Sequence, residues 1–187
     1  MSATNRGAIR HKDDFYATPA WCVRALLKSC PLPGGNWLEP AVGDGAIVRA
    51  VDEMRRDVFW TINDINLSRI GDLSAYGMAE VPYPITGLEP EEMQDVVITN
   101  PPFSQSLEFV QGALKDGKIV VMLLRLNWLA SQKRNRFLLT NPPSVYVLPR
   151  RPSFTADGKT DCIDYAWFIW GMDATPTVRV IDSEVCR

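Results

Sequence analysis

Short, unbroken apolar runs alternate with segments of helical periodicity along most of this 187-residue sequence. The clearest runs cover residues 96–98 and 119–124, and others cover residues 58–62, 145–148 and 165–170. Apolar runs without a polar face are typical of strands that are covered on both sides. The pattern therefore predicts an α/β domain, with a mostly parallel central sheet and helices on both faces.

Apolar residues elsewhere are spaced as on amphipathic helices. In the first of these segments, Val23, Leu26, Leu27 and Cys30 follow Thr18 and Pro19, which predicts a helix with the Thr18 hydroxyl as N-cap and Pro19 in the first helical position. Further helices are predicted over residues 46–54, around residues 107–114 and over residues 132–140. The segment 66–92 predicts irregular structure with at most one short strand.

Composition excludes several classes of protein. No apolar stretch approaches the roughly 18 to 20 residues of a membrane span, and the N-terminus lacks the apolar core of a signal peptide, so we expect a cytoplasmic protein. The cysteines form no CxxC pair and His11 is the single histidine, so no metal site is predicted. We expect reduced thiols at Cys22, Cys30, Cys162 and Cys186.

A glycine-containing turn separates the first predicted strand, a short apolar run at Trp37 and Leu38, from the helix predicted over residues 46–54. The segment 37–46 reads Trp-Leu-Glu-Pro-Ala-Val-Gly-Asp-Gly-Ala. Glycines at such a turn let the backbone approach a ligand closely, beyond the carboxyl end of the strand. Glu39, at the strand end, could meet the amino group of an amino-acid moiety. A plain tight turn is the alternative.

An acid follows the second predicted strand. Asp64 comes about twenty residues after the glycines, the position from which a carboxylate accepts the hydroxyls of a ribose in nucleotide-binding sheets. Together with the glycine turn, it predicts a nucleotide-like cofactor. The alternative is that Asp64 caps the next turn.

The strand over residues 96–98 runs into Asn100-Pro101-Pro102-Phe103. Two prolines remove two N–H donors and fix the backbone, so the turn presents acceptor oxygens. The Asn100 side-chain oxygen and the Pro101 carbonyl could hold the two hydrogens of an aryl or amide NH2 and stabilise the charge that develops as this nitrogen attacks a methyl group. Phe103 could stack on a flat substrate, which in a duplex must first leave the base stack.

Positive charge is concentrated in one window of a chain whose net charge is −2. Residues 117–156 contain no Asp or Glu, and such a cluster can form a phosphate-binding face. Ordinary solvated surface charge is the alternative. The basic residues of the window are Lys118, Arg125, Lys133, Arg134, Arg136, Arg150 and Arg151.

In their order and spacing, these motifs resemble those of the class I, Rossmann-like S-adenosylmethionine-dependent methyltransferases, and especially the N6-adenine DNA methyltransferases of phages and restriction-modification systems. The resemblance covers most of the chain and includes the N-terminal motif Asp14-Phe15-Tyr16-Ala17-Thr18-Pro19. It implies a class I methyltransferase fold with an antiparallel C-terminal strand. It also implies S-adenosylmethionine as cofactor and DNA as partner, without a metal.

The resemblance assigns roles to individual residues. Asn100, Pro101, Pro102 and Phe103 would be catalytic. Phe103, Phe154, Arg150 and Arg151 would bind the substrate, with Phe154 as a second aromatic against the target base or, alternatively, as a core residue. Asp72 is the candidate for binding the cofactor adenine. The other cofactor-binding residues would be Tyr16, Thr18, Glu39, Pro40, Ala41, Gly43, Gly45, Asp64, Ile65 and Asn100.

Other acceptors and roles stay open. The same chemistry would suit adenine in RNA or a protein glutamine amide, and a non-catalytic binding module could retain the fold. We expect a flexible arm over residues 1–13 and a single catalytic domain over residues 14–187. Since no separate target-recognition domain is predicted, sequence specificity would come from loops, the basic window, a partner or a homo-oligomer.

Overall fold

The computed structural model describes residues 16–65, 77–78, 93–154 and 162–186, over which helices and strands alternate. The helices are α1 (Ala20–Ser29), α2 (Ala46–Asp52), α3 (Ser106–Asp116) and α4 (Gln132–Thr140). The strands are β1 (Gly35–Glu39), β2 (Val58–Ile62), β3 (Gly77–Met78), β4 (Gln94–Thr99), β5 (Gly117–Arg125), β6 (Ser144–Val147), β7 (Tyr165–Trp170) and β8 (Val178–Val180). Short 3-10 helices cover Phe103–Gln105, Leu126–Leu129 and Ser183–Cys186.

The eight described strands form one sheet in the order β3-β2-β1-β4-β5-β7-β6-β8. β1 pairs in parallel with β2 and β4, β2 with β3, β4 with β5, and β6 with β8. β7 lies between β5 and β6 and is antiparallel to both. The predicted mostly parallel sheet with an antiparallel strand near the C-terminus is therefore confirmed.

Helices cover both faces of the sheet. On one face, buried residues of α1 and α2, such as Leu26 and Val48, join the core that contains Trp37 and Trp60. On the other face, Val110 and Ala113 of α3 pack into a second core around Trp128, with Phe137 and Leu138 of α4 at its margin. The strand residues alternate between the two cores, which explains why the central strands are apolar without interruption.

The predicted N-cap at Thr18 is wrong by one residue. Pro19 itself is the N-cap, with φ −59° and ψ 131°, and no side chain caps the helix, which begins at Ala20. The Pro19 carbonyl accepts the Cys22 N–H at 2.9 Å. The backbone before the helix is engaged in a tertiary contact, since the Tyr16 carbonyl accepts a hydrogen bond from the Asn100 side chain. That contact leaves no signal in the local sequence.

The other predicted elements lie close to their observed bounds. The helix over residues 132–140 and the strands over residues 58–62 and 165–170 are found as predicted, whereas α2 ends at Asp52 rather than residue 54. β8 was not predicted, because its three residues are all exposed and show no buried face. β3 is the one strand described between residues 66 and 92, while the predicted arm over residues 1–13 and Asp72 lie outside the described residues.

None of the helices in the described part of the chain has the length and the apolar character that a membrane span requires.

Two leucines test whether the core under α1 stabilises the fold. Leu26 of α1 is fully buried, whereas Leu139 of α4 is 75% exposed. We expect Leu26→Ala to lower the free energy of unfolding by about 2–5 kcal/mol, because it leaves a cavity in the core. The matched control Leu139→Ala should change it by less than about 0.5 kcal/mol. Urea unfolding measures both, and equal effects would contradict this description of the core.

Candidate active site

The order of the strands creates a crevice at one edge of the sheet. The chain proceeds outward from β1 to β2 and β3, then returns to β4 on the opposite side of β1. Ligands of open α/β sheets bind beyond the carboxyl ends of the strands at this reversal. The segments that follow β1, β2 and β4 meet there, and they carry the glycine turn, Asp64 and the Asn-Pro-Pro-Phe motif.

Positive φ angles shape the turn between β1 and α2. Gly43 has φ 55° and Gly45 has φ 80°, and Gly45 is the N-cap of α2. Both conformations are left-handed, which a side chain disfavours, so glycine is required at both positions. Within the same turn Pro40 is buried and Ala41 is half-buried.

Hydrogen bonds fasten this turn to the end of β2. The Gly43 N–H donates to Oδ2 of Asp64 at 2.8 Å, and the Val42 N–H donates to the Asn63 carbonyl at 2.9 Å. The Asn63 N–H donates to the Glu39 carbonyl at 2.9 Å. Asp64 is 9% exposed, and its carboxylate supports the glycine turn directly. Its neighbour Ile65 is 97% exposed.

Glu39 is the most deeply buried acid of the crevice, at 2% exposure. Burial raises its pKa well above the usual range, and the nearby carboxylates of Asp44 and Asp64 raise it further, whereas a hydrogen bond from the Val48 backbone lowers it. Its Oε2 has no hydrogen-bond partner among the described residues. An unpartnered buried carboxylate oxygen is suited to a ligand that brings a positive charge.

Asn100 presents an acceptor in the same crevice. Its Nδ2 donates to the Tyr16 carbonyl at 3.0 Å, which fixes the orientation of the amide. Its Oδ1 is buried and has no hydrogen-bond partner in the described part of the chain. Pro101 is buried, and the Pro102 carbonyl accepts the Gln105 N–H at 3.0 Å, so the turn leads directly into a 3-10 helix.

Aromatic rings from separate parts of the chain gather beside Asn100. Tyr16 stacks on Phe103 at 5.5 Å, and Phe154 contacts Phe103 at 6.4 Å between ring centroids. Tyr165, the first residue of β7, lies 5.0 Å from Phe154 and 5.8 Å from Phe103. The structure thus brings together the two predicted substrate aromatics, and both also pack against the core under α1.

Arg125 was missed as a site residue by sequence reasoning. Its guanidinium lies 4.3 Å from the centroid of the Phe103 ring, and its Nε donates to the Tyr165 hydroxyl at 3.1 Å. Arg125 is the last residue of β5, the strand next to β4. A basic residue that ends an apolar strand was therefore the available signal, since strands that end at the same edge place their last residues near one another.

Arg150 and Arg151, predicted to bind substrate, are engaged within the protein. The Arg150 guanidinium lies 4.5 Å from the centroid of the Trp21 ring, and Arg151 Nε donates to Oδ1 of Asp164 at 2.8 Å. Both side chains remain exposed. Thr18, predicted to bind cofactor, is 5% exposed.

No protein-family model and no curated protein matches the sequence, but solved structures do. The methyltransferase subunit of a type I restriction-modification system from Streptococcus thermophilus has a TM-score of 0.60 at 14% identity, over 86% of this chain and 45% of that one. The 23S rRNA methyltransferase ErmE has a TM-score of 0.62 at 15% identity, over 87% of this chain and 71% of that one. Precorrin-6y C5,15-methyltransferase from Geobacter metallireducens GS-15 has a TM-score of 0.56 at 16% identity, over 89% of this chain and 99% of that one.

These neighbours differ in what their names say they methylate, and the chain spans less than half the length of the Streptococcus thermophilus subunit. The likeness at such identities concerns the architecture alone. The chain therefore has the class I, Rossmann-like methyltransferase fold.

Proposed function

We propose that this protein transfers a methyl group from S-adenosylmethionine to the exocyclic N6 of adenine in DNA. The observation that carries the proposal is the Oδ1 atom of Asn100, which is buried and has no hydrogen-bond partner among the described residues. The Asn100 amide is held in the crevice by the hydrogen bond from its Nδ2 to the Tyr16 carbonyl. An acceptor fixed in this way can take a hydrogen bond from an NH2 group without reorganising.

The crevice beside β1 has the donor and acceptor groups that S-adenosylmethionine needs. Glu39 Oε2 would accept from the ammonium of the methionine moiety, and such a contact would return the carboxyl to its charged form. Asp64, at the end of β2, would accept from the ribose hydroxyls. The left-handed Gly43 and Gly45 keep side chains away from the ligand. The bound cofactor would supply a methyl group on a sulfonium, a strong electrophile.

On the substrate side, the Asn-Pro-Pro-Phe turn would orient the amine. The Asn100 Oδ1 and the Pro101 carbonyl would each accept one hydrogen of the NH2, which favours a tetrahedral nitrogen with its lone pair directed at the methyl group. The cofactor would supply the methyl group and leave as the neutral thioether. The amine nitrogen would become cationic as it takes the methyl group, the Asn100 Oδ1 and the Pro101 carbonyl would stabilise that charge, and a proton would then pass to water.

The aromatic residues favour a flat substrate. The Phe103 ring would contact one face of a purine, and the Phe154 ring, which lies 6.4 Å from Phe103 at 72° to it, would contact the edge of the base. Stacking on aromatic side chains is a common means of holding an extruded base. In the free protein Phe103 is in contact with Tyr16 and Arg125, so a base that stacks on this ring must displace part of that arrangement.

Adenine in RNA is a second candidate acceptor. The observation that favours it is the 23S rRNA methyltransferase among the structural neighbours. The proposed site would hold the same amino group in either nucleic acid. A parallel assay on DNA and RNA separates the two.

Removing the Asn100 amide tests the catalytic assignment. We expect Asn100→Ala to lower kcat on DNA by about a hundredfold to a thousandfold, the loss that follows when one preorganised transition-state group is removed. S-adenosylmethionine should still bind, because Glu39 and Asp64 supply its main contacts in this proposal, so the main loss should fall on kcat. The control Asn36→Ala changes an exposed residue at the opposite end of β1 and should leave kcat unaltered. If Asn100→Ala kept full turnover, the assignment would be wrong.

Asp64 tests the cofactor assignment. Asp64→Ala should weaken S-adenosylmethionine binding by roughly tenfold to a hundredfold, since a hydrogen bond to a charged group contributes about 1.5–3 kcal/mol. Asp57, which pairs with Arg55 just before the other end of β2, provides the matched control Asp57→Ala. Calorimetry measures both affinities, and an unchanged affinity in the Asp64 variant would contradict the role.

Glu39 predicts a pH dependence of stability. Because its pKa is raised in the folded protein, folding retains a proton that the unfolded chain releases, so the free energy of unfolding falls as pH rises above the usual pKa of a glutamate. The variant Glu39→Gln has no titratable carboxyl at this position, so its free energy of unfolding should not fall for this reason. Without cofactor, the variant should resist urea better than the wild type near neutral pH, and the difference should shrink as the pH is lowered. If the free energy of unfolding changed with pH in the same way in the wild type and the variant, Glu39 would not be buried as described.

A further inference from the structure

The helix α4 presents two faces of different chemistry. Its inward face packs on the sheet, where Phe137 and Leu138 reach the core around Trp128. Arg134 also belongs to this face, since its Nε donates to the Trp128 carbonyl at 2.8 Å and its guanidinium lies 5.0 Å from the centroid of the Trp128 ring. Helical spacing places Arg136 on the outward face and Lys133, one turn before Phe137, at the border of that face, and both side chains are exposed.

A chain of contacts joins the first turn of α4 to the Asn-Pro-Pro-Phe turn. Trp128 Nε1 donates to the Ser106 hydroxyl at 3.0 Å, and that hydroxyl donates to the Phe103 carbonyl at 3.2 Å. Arg134 in turn fastens α4 to the Trp128 carbonyl. The beginning of α4 is therefore held at the edge of the sheet where β4 and β5 end.

The far end of α4 lies toward the opposite edge of the sheet. The Asn141 carbonyl, just beyond the helix, accepts from Trp170 Nε1 at the last residue of β7. Because α4 has nine residues, it is about 13 Å long. Lys133 lies in its first turn, on the side of the Asn-Pro-Pro-Phe turn, and Arg136 is its central residue.

Most of the other cations in residues 117–156 are engaged within the protein. Lys118 pairs with Asp95, Arg151 pairs with Asp164, Arg150 lies over Trp21, and Arg125 lies over Phe103. Within the described ranges, the side chains of Lys133 and Arg136 have no ion pair, hydrogen bond or ring contact. Their charge is available to an external anion.

We infer that the outward face of α4, through Lys133 and Arg136, binds backbone phosphates of the nucleic acid and so positions the target base at Asn100. The inference rests on the proposed function and gives its DNA contact a location. It narrows the predicted basic window over residues 117–156 to two residues, and it departs from the assignment of substrate binding to Arg150 and Arg151. Two unpaired cations one helical turn apart, on a helix without an acidic residue, are complementary to a polyanion.

Binding of a short fluorescein-labelled DNA duplex tests the inference without any need for methyl transfer. In the variant Lys133→Ala/Arg136→Ala, the slope of log K against log[salt] should become less steep by about 1.8, because each neutralised phosphate contributes about 0.9. Affinity for S-adenosylmethionine should be unchanged, which shows that the variant is folded. With methylation as the readout, KM for DNA should rise while kcat at saturating DNA is retained.

Two controls isolate the charge of α4. Lys118→Ala removes a cation of the same window that is paired at the start of β5, and it should leave the salt slope unaltered. The exchange Lys133→Arg/Arg136→Lys keeps both charges and should keep the wild-type slope. An unchanged slope in the double alanine variant, or a wild-type protein that does not bind the duplex, would overturn the inference.

The same measurements separate this inference from the proposed function. A reduced salt slope in a protein that methylates no nucleic acid would support α4 as the phosphate-binding face and count against the methylation proposal. Methylation of DNA with an unaltered slope would support the proposed function and place the phosphate contacts elsewhere.

Discussion

The pairing of β1 with both β2 and β4 is the constraint on which the rest of the structure depends. β1 lies inside the sheet, and the order in which the strands are added reverses beside it. The segments that follow β1, β2 and β4 therefore meet at one edge of the sheet. The glycine turn is then fastened to the segment after β2 through Gly43 and Asp64, and the Asn-Pro-Pro-Phe turn is fastened to the segment before α1 through Asn100 and Tyr16. A single crevice results from contacts that are distant in the sequence.

Polar atoms without partners are expensive to bury, and two of them lie in this crevice. Glu39 Oε2 and Asn100 Oδ1 have no protein partner among the described residues, and leaving such a group unpaired costs about 1–3 kcal/mol. A cofactor ammonium would satisfy the first, at the end of β1, and a substrate amine would satisfy the second, in the turn after β4. The raised pKa of Glu39 has the same origin, since its carboxyl is removed from water before a cation is present. In the unbound site the raised pKa favours the neutral carboxyl, and a bound cation would favour its charged form.

The strands and helices that were predicted correctly are those that leave a local pattern in the sequence. The features that were missed depend on contacts between segments that are distant in the sequence. The apolar runs of β4, β5 and β7 and the helix α4 were predictable because burial on both faces, or on one helical face, leaves a period in the sequence. The cap at Pro19 and the position of Arg125 over Phe103 depend on packing between distant segments. The exposed β8 has no apolar pattern at all. The proposed roles of Asn100, Glu39 and Asp64 came from the motifs and their spacing. The structure adds the burial of Glu39 and Asp64, the bond from Gly43 to Asp64 and the bond from the Asn100 amide to Tyr16.

Methyl transfer from radiolabelled S-adenosylmethionine to unmethylated genomic DNA, total RNA and cell protein, run in parallel, tests the central claim most directly. Nucleoside and peptide analysis then identifies the labelled acceptor. The account predicts label in DNA as N6-methyladenine. Label confined to protein, or no transfer to any pool by a protein that binds S-adenosylmethionine, would contradict it.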